Sequence, residues 1–519
     1  MNESNNTPQP PIPAQPVPPA FPPYREPLKV TYPTGRRELI FAACILIFSC
    51  LSCNCLIYAG ANLGFAVGVM GMLLSTAAYL WACGRKPDWY TATLLALCLV
   101  IAAAYLRSGD GSLKFLMGLV LCLVPGMAFA ITAGQNLHAP AGFASLLDGP
   151  RTLFMLGMGT MNAAFRGLRD AFRASGTLGK KGGAVALGLL IAIPLMAVMI
   201  PLLMSADAAF EGLLALLPEF QWRELLATLL LGGSVACVLY TRGVALEHSI
   251  KSVPAGKKTR GLNSLTVNTV LTAVAVVYAA YLLSQLAYFV GGFSGILPEG
   301  FTMAQYARRG FFEMAWLSAI NLAIISFAIG LVKQSEKLLL TRLICLFLGI
   351  VTVFLVATAS AKMFLYIGSY GLTRLRVLTE VFMLWLAAVT VFVCIWLFRQ
   401  TLPYMKLAMV LGLVLCACLF WADVDTQIAR YNVRSYQEGR LESVDVYHLG
   451  NLSYGAVPYL AELTEDHDPE VAAQARDILS NWYISNRYDI RDWNLARVRA
   501  ADILEEFHRN EAAEVIEFQ

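Results

Sequence analysis

Three short polar segments stand out as places where this chain could do chemistry. The first, YARRGFFE, holds Arg308, Arg309 and Glu313. The second starts at Lys362 and runs through YGLTRLRVLTE, with Arg374, Arg376 and Glu380. The third, IARYN, holds Arg430, Tyr431 and Asn432. Arginine forks match the oxygens of phosphates and carboxylates, so the pattern suits an anionic ligand such as a lipid headgroup or an envelope precursor. A structural reading competes: the bases lock neighbouring helices together and dock an acidic tail. Glu313 and Glu380 fall about one turn into apolar stretches, where an unpaired charge is costly. Each is therefore expected to pair with one of these bases. Both readings can hold together.

Other chemistry is poorly supported. Cys50, Cys53 and Cys55 form a C-x-x-C-x-C run, but no His or carboxylate accompanies them, and packing accounts for them better than metal or redox work. All twelve cysteines lie in apolar segments, which argues against a disulfide-built extracellular domain. There is no G-x-x-x-x-G-K-[ST] and no H-E-x-x-H. The five histidines form no cluster in sequence. The basic residues flank apolar segments, so topology explains them and nucleic acid need not. No catalytic residue, metal site or cofactor is expected.

The elements that must position these residues are membrane helices. The chain of 519 residues is 57% hydrophobic and 14% charged, against about 25% charged for a soluble domain. Eleven apolar stretches lie near 39–59, 61–83, 90–106, 113–133, 182–203, 224–241, 265–290, 311–333, 339–361, 378–398 and 404–422. Each suits a core about 30 Å thick, and in lipid each must be helical to satisfy its own backbone. The fold expected is all-α: a polytopic transmembrane bundle of about eleven spans with a small soluble helical tail.

Three regions follow. Residues 1–38 are a polar arm, with eleven prolines before residue 36, expected to be a disordered cytoplasmic tether. They carry nothing like a cleavable signal peptide. Residues 39–422 form the membrane domain. Within it, residues near 151–175 read as an interfacial amphipathic helix, with Phe154, Met158, Met161, Phe165, Leu168 and Phe172 at helical spacing and Arg166, Arg169 and Arg173 on another face. Residues 423–519 form an acidic helical tail with nine Arg and nineteen Asp or Glu, a net charge of −10.

With the N-terminus cytoplasmic, the inner segments hold 22 Lys and Arg and the outer loops eight. The positive-inside rule then favours that orientation, and an odd span count places the tail and all three polar segments outside. Gly60, Gly64 and Gly68 form a small-residue ridge, read as an internal packing seam. Pro194 and Pro201 mark a kinked fifth span.

The segments YARRGFFEMAWLSAINLAII, YGLTRLRVLTEVFMLWLA and IARYNVRSYQEGRLESVDVYHLGNLSYGAVPYL resemble the hallmark blocks of a bacterial membrane family, the domain-of-unknown-function 4173 family with its 4153 relatives. The resemblance runs from about the fifth span to Leu460. It implies a bacterial multi-pass membrane protein and carries no activity with it.

The first reading of function is a non-enzymatic protein of the bacterial inner membrane, with a sensing, scaffolding or regulatory role and an outward-facing Arg/Glu cluster. The partners expected are the bilayer itself and its anionic headgroups. A secondary transporter or lipid-handling permease is the alternative, and an intramembrane transferase acting on lipid-linked substrate is the next. The spans are poor in midplane charge, which counts against ion-coupled transport.

Overall fold

The computed structural model describes residues 34–138, 143–174, 222–248, 262–292, 311–331, 338–484 and 489–517, with Tyr32, Leu195, Met199 and Leu203. The described residues are helical, with no strand. In chain order the helices are α1 (Arg36–Asn54), α2 (Leu63–Ala82), α3 (Trp89–Ala104), α4 (Gly111–Thr132), α5 (Asp148–Arg151), α6 (Met161–Ala174), α7 (Trp222–His248), α8 (Ser264–Gly292) and α9 (Phe311–Leu331). They continue with α10 (Leu339–Tyr370), α11 (Arg374–Phe398), α12 (Tyr404–Ala422), α13 (Val424–Gln437), α14 (Val446–Gly450), α15 (Val457–Leu463), α16 (Pro469–Ser480) and α17 (Leu495–Glu517).

Eight of the described helices are long and apolar enough to cross a membrane: α1, α2, α4, α7, α8, α10, α11 and α12. Two of the eleven expected spans are shorter apolar helices, Trp89–Ala104 and Glu313–Ile329. Apart from Leu195, Met199 and Leu203, the expected span near 182–203, with Pro194 and Pro201, lies outside the described residues, as does nearly all of the proline-rich arm. The short turn between the first two spans holds. α1 runs on through a π-helical turn, Cys55–Ala59, and stops at Gly60, whose φ of +90° is one that L side chains rarely adopt.

The glycine ridge of α2 faces α1. A Cβ at Gly64 would strike the Cys55 sulfur, and one at Gly68 would strike Ser52 Oγ and stand 2.9 Å from the Phe48 carbonyl oxygen. Only glycine admits so close a backbone approach. The cysteine run is part of this seam: Cys55 is buried beside Gly64, and a Cβ at Gly232 of α7 would lie 2.6 Å from Cys50 Cα. Among the described residues no group of three His, Cys, Asp or Glu is placed to hold a metal ion.

The buried apolar side chains form three clusters. Phe41, Tyr79, Leu80, Phe129, Tyr240 and Leu246 join one end of α1, α2, α4 and α7, together with Ala163 and Ala164 of α6. Leu271, Ile325, Leu348, Leu355, Leu386 and Val393 hold α8 to α11 together. The third cluster runs without a break from α3, α4 and α12 into the tail: Ile101, Tyr105, Met117 and Phe420 pack in one core with Val433, Leu449, Leu460, Leu479 and Leu504.

The amphipathic segment is broken where a single helix was expected. α5 passes into a π-helical stretch, Thr152–Met158, before α6 begins. Its Gly157 carbonyl accepts from Thr241 Oγ1 at 2.8 Å, while Phe154, Met155 and Met158 stay exposed.

The tail is a cap of five helices. Three were expected; α13 and α14 were not. Asp468 caps α16, its carboxylate accepting from Glu470 N at 2.9 Å, with Pro469 in the first position.

Candidate functional site

Three helix beginnings converge beneath the cap. α4 begins after Asp110, α11 begins at Arg374, and α13 carries Asp425 in its first turn. A helix N-terminus carries partial positive charge and favours anions, so an arginine there needs acidic company. Arg374 finds it in two carboxylates. Its Nε donates to Asp425 Oδ1 and its Nη2 to Asp425 Oδ2, both at 2.6 Å. Its Nε also lies 3.3 Å from Asp110 Oδ2. Nη2 reaches the Asn451 carbonyl at 3.4 Å.

Both carboxylates are buried and held by the backbone. Asp110 caps α4, accepting from Ser112 N at 2.9 Å and Leu113 N at 3.1 Å. Asp425 Oδ2 accepts from Ser453 N at 2.7 Å. The ion pair therefore ties two membrane helices to two segments of the cap. Burial raises the Asp110 carboxyl above the usual carboxylate range, with the Asp425 charge adding to it, while the Leu113 N–H and Arg374 act against it.

Around this pair the turns are stitched to the cap. Asn432 on α13 accepts from Leu372 N at 2.6 Å and donates to Leu372 O at 2.9 Å, as a neighbouring strand would. Gly371 has φ +72°, and a Cβ there would stand 2.6 Å from Asn432 Oδ1. Arg376 donates to the Tyr370 carbonyl at 2.9 Å and to the Gly371 carbonyl, and lies over the Tyr366 ring at 4.2 Å. Such donation satisfies the carbonyls left open where α10 ends.

Asp423, between α12 and α13, has φ +51°, a conformation Asp tolerates better than most residues. Its Oδ2 accepts from Thr426 Oγ1 at 2.6 Å. Burial raises this carboxyl too, opposed by the Thr426 hydrogen bond.

The far end of the cap has a second fastening. Asn494 caps α17 with its Oδ1 and donates through Nδ2 to the Tyr105 and Ser108 carbonyls at 2.9 and 2.8 Å. Arg491 donates to Asn54 Oδ1 at 2.8 Å, and Asn62 Nδ2 donates to Asp492 Oδ1 at 2.5 Å. Arg491 holds the Asp489 carboxyl below the usual range. Between the two fastenings lies a polar cleft of about 470 Å³, lined by Gly109, Asn451, Ser453, Tyr454, Asn481 and Trp482 among others.

The eight residues singled out from sequence fare differently. Arg308 and Arg309 lie outside the described residues. Glu313 is exposed on α9 and makes no ion pair among the described residues. Lys362 is half-buried on α10, which continues as helix to Tyr370, so the expected long loop is only a three-residue turn. Arg374 and Arg376 sit at that turn. Glu380 forms no ion pair with either of them; the partners of Arg374 are Asp425 and Asp110. Arg430 is exposed, while Asn432 is the buried polar member of IARYN beside the buried Ile428 and Ala429. Asp110, Asp425 and Ser453 were missed. A local signal existed for Asp110 alone, as an Asp-Gly pair opening an apolar run.

These features define a polytopic helical membrane protein with a helical cap fastened to one face of its bundle. The chain belongs to the family described as Domain of unknown function (DUF4153), whose model matches residues 68–463. The match begins in α2, well before the fifth span, and ends with α15. No curated protein and no solved structure is detectably similar to the chain.

Proposed function

We propose that this is a non-enzymatic protein of the bacterial cell membrane that senses or scaffolds through its cap. The observation that carries the reading is the occupied edge of Arg374. The bidentate face that would take a phosphate or carboxylate ligand is filled by Asp425. The arginine works as a fastener of the cap, and the cleft beside it is where a small polar ligand could act on that fastening.

The orientation proposed has the arm inside and the cap outside. The 22 inner against eight outer basic residues support it. The exposed Phe154, Met155 and Met158 then lie at the cytoplasmic lipid surface.

The transport reading has less support. Three polar side chains buried between α8, α9 and α10 satisfy one another: Tyr278 donates to Asn321 at 2.9 Å, and Asn321 donates to Thr352 at 3.1 Å. A transporter needs a hydrated path near the midplane.

The native cysteines offer the test. Cys98 and Cys345 are fully buried in α3 and α10. In membranes treated with a charged methanethiosulfonate, peptide mass mapping should find both unlabelled. Labelling of either would show water inside the bundle and overturn the non-transport reading. A protease-sensitive tag after Gln519 should be cut in intact spheroplasts; protection there would overturn the orientation.

A further inference from the structure

On the face away from the cap, α2, α3 and α4 leave a groove of about 570 Å³ between them. Its walls are Leu74, Leu80 and Trp81 of α2, Leu95 of α3 and Phe129 of α4. Arg85 and Lys86 stand at its mouth. The turn that puts them there is built for it. Gly84, at φ +82°, ends α2, with Gly84 N donating to Trp81 O and Arg85 N donating to Leu80 O, both at 2.9 Å. The two basic side chains are thereby thrown outward, and both are exposed.

Nothing among the described residues neutralises them. Asp88, the nearest acid in the turn, accepts from Thr91 N at 2.9 Å and faces Lys406 Nζ at 3.8 Å. Lys406 itself lies over the Tyr90 ring at 4.9 Å. Arg37 is turned to the Ala82 carbonyl at 2.9 Å. Cations thus crowd the end of α2; of the acids near it, Asp88 is engaged with Thr91 and Lys406, Glu38 accepts from Gly35 N at 2.7 Å, and Glu247 lies beside Cys83. Trp81 is 67% exposed and Trp89 56% exposed, on either side of the turn. Exposed indoles at this level are characteristic of the headgroup boundary.

An apolar trough inside a span, opening onto two exposed cations with no ion-pair partner among the described residues, suits an anionic amphiphile. Basic pockets between membrane helices bind anionic headgroups, and Arg presents paired donors to phosphate. We propose that this groove holds one anionic glycerophospholipid, an acyl chain along Leu74, Leu80 and Phe129 and the phosphate against Arg85 and Lys86. The site is at the opposite end of the bundle from the Arg374 fastening and does not depend on the cap's role.

The test is native mass spectrometry of the full chain in detergent, loaded with phosphatidylglycerol or phosphatidylcholine of matched acyl chains. The wild type should retain phosphatidylglycerol about tenfold over phosphatidylcholine, a difference of about 1.4 kcal/mol. The double variant R85E/K86E, at exposed positions, should lose that preference. Leu74→Trp, which fills the groove from its lipid side, should reduce retention of both lipids with the charges intact. Equal retention of the two lipids by the wild type would show annular lipid only and overturn the proposal. So would a preference for phosphatidylglycerol that survives both variants.

Discussion

Arg374 and Asp425, fifty-one residues apart, meet edge to edge through two hydrogen bonds of 2.6 Å. One sits at the start of a membrane helix and the other at the start of the first cap helix. The carboxylate is fully buried, while the guanidinium side chain keeps 31% of its surface open. The energetic weight of the pair therefore rests on Asp425, which cannot regain water if the arginine goes.

Arg374→Ala should loosen the cap by roughly 3 kcal/mol, because it strands a buried charge. Hydrogen–deuterium exchange of peptides from 424–463 should rise sharply, with peptides from α1 and α2 unchanged. Arg374→Lys keeps the charge and loses the fork, so its exchange should fall between the two. An Arg374→Ala cap as protected as the wild type would show that the pair is dispensable.

Asn432→Ala removes both bonds to Leu372 and leaves two backbone groups of the α10–α11 turn without partners. The expected loss is about 1–3 kcal/mol, read as a lower midpoint of thermal unfolding in detergent. Asn432→Asp retains the acceptor for Leu372 N and loses the donor to Leu372 O. It should therefore unfold at a temperature between the wild type and the alanine variant.

Acidity should tighten the cap over part of its range. The Asp110 and Asp423 carboxyls are raised in the folded protein, chiefly by burial. A raised carboxyl binds its proton more tightly folded than unfolded, so its contribution is fully present below about pH 4, the unfolded value. It is lost as pH rises through the folded value. Lowering pH from 7 toward 4 should therefore slow exchange in α13. Asp423→Asn, which suits the same left-handed backbone, should protect α13 at pH 7 and flatten the pH response. A cap that loosens steadily on acidification would refute this.

Gly68→Ala should destabilise the α1–α2 seam by about 1–3 kcal/mol through overpacking. Pairing it with Ser52→Ala removes the hydroxyl in the way but leaves the Phe48 carbonyl 2.9 Å from the new methyl. The double variant should thus recover only part of the thermal stability.

The membrane helices were legible because hydropathy over some twenty residues is a local signal. Gly60, Gly64 and Gly68 were legible for the same reason, as a spacing within one helix. The Arg374 site was half legible. An arginine beside an apolar run is visible in sequence, but its partner is not, because Asp110 and Asp425 are brought to it from distant segments by the packing of α3, α4 and α12 against the cap. Glu380 is closer in sequence, but the helix places it about one and two-thirds turns beyond Arg374. α13 and α14 were overlooked because their apolar residues face a shared core with membrane helices, and neither shows a core of its own.

α10 runs for 32 residues from Leu339 to Tyr370, about 48 Å of unbroken rod. A hydrocarbon layer about 30 Å deep cannot contain it upright, so it must lean or stand proud. Lean is set by how thick the surrounding bilayer is. The Gly371 corner rides on the tip of that strut, and Asn432 grips the corner. A thinner or thicker membrane would therefore shift the seat on which the cap rests, making lipid composition itself a mechanical input to the molecule.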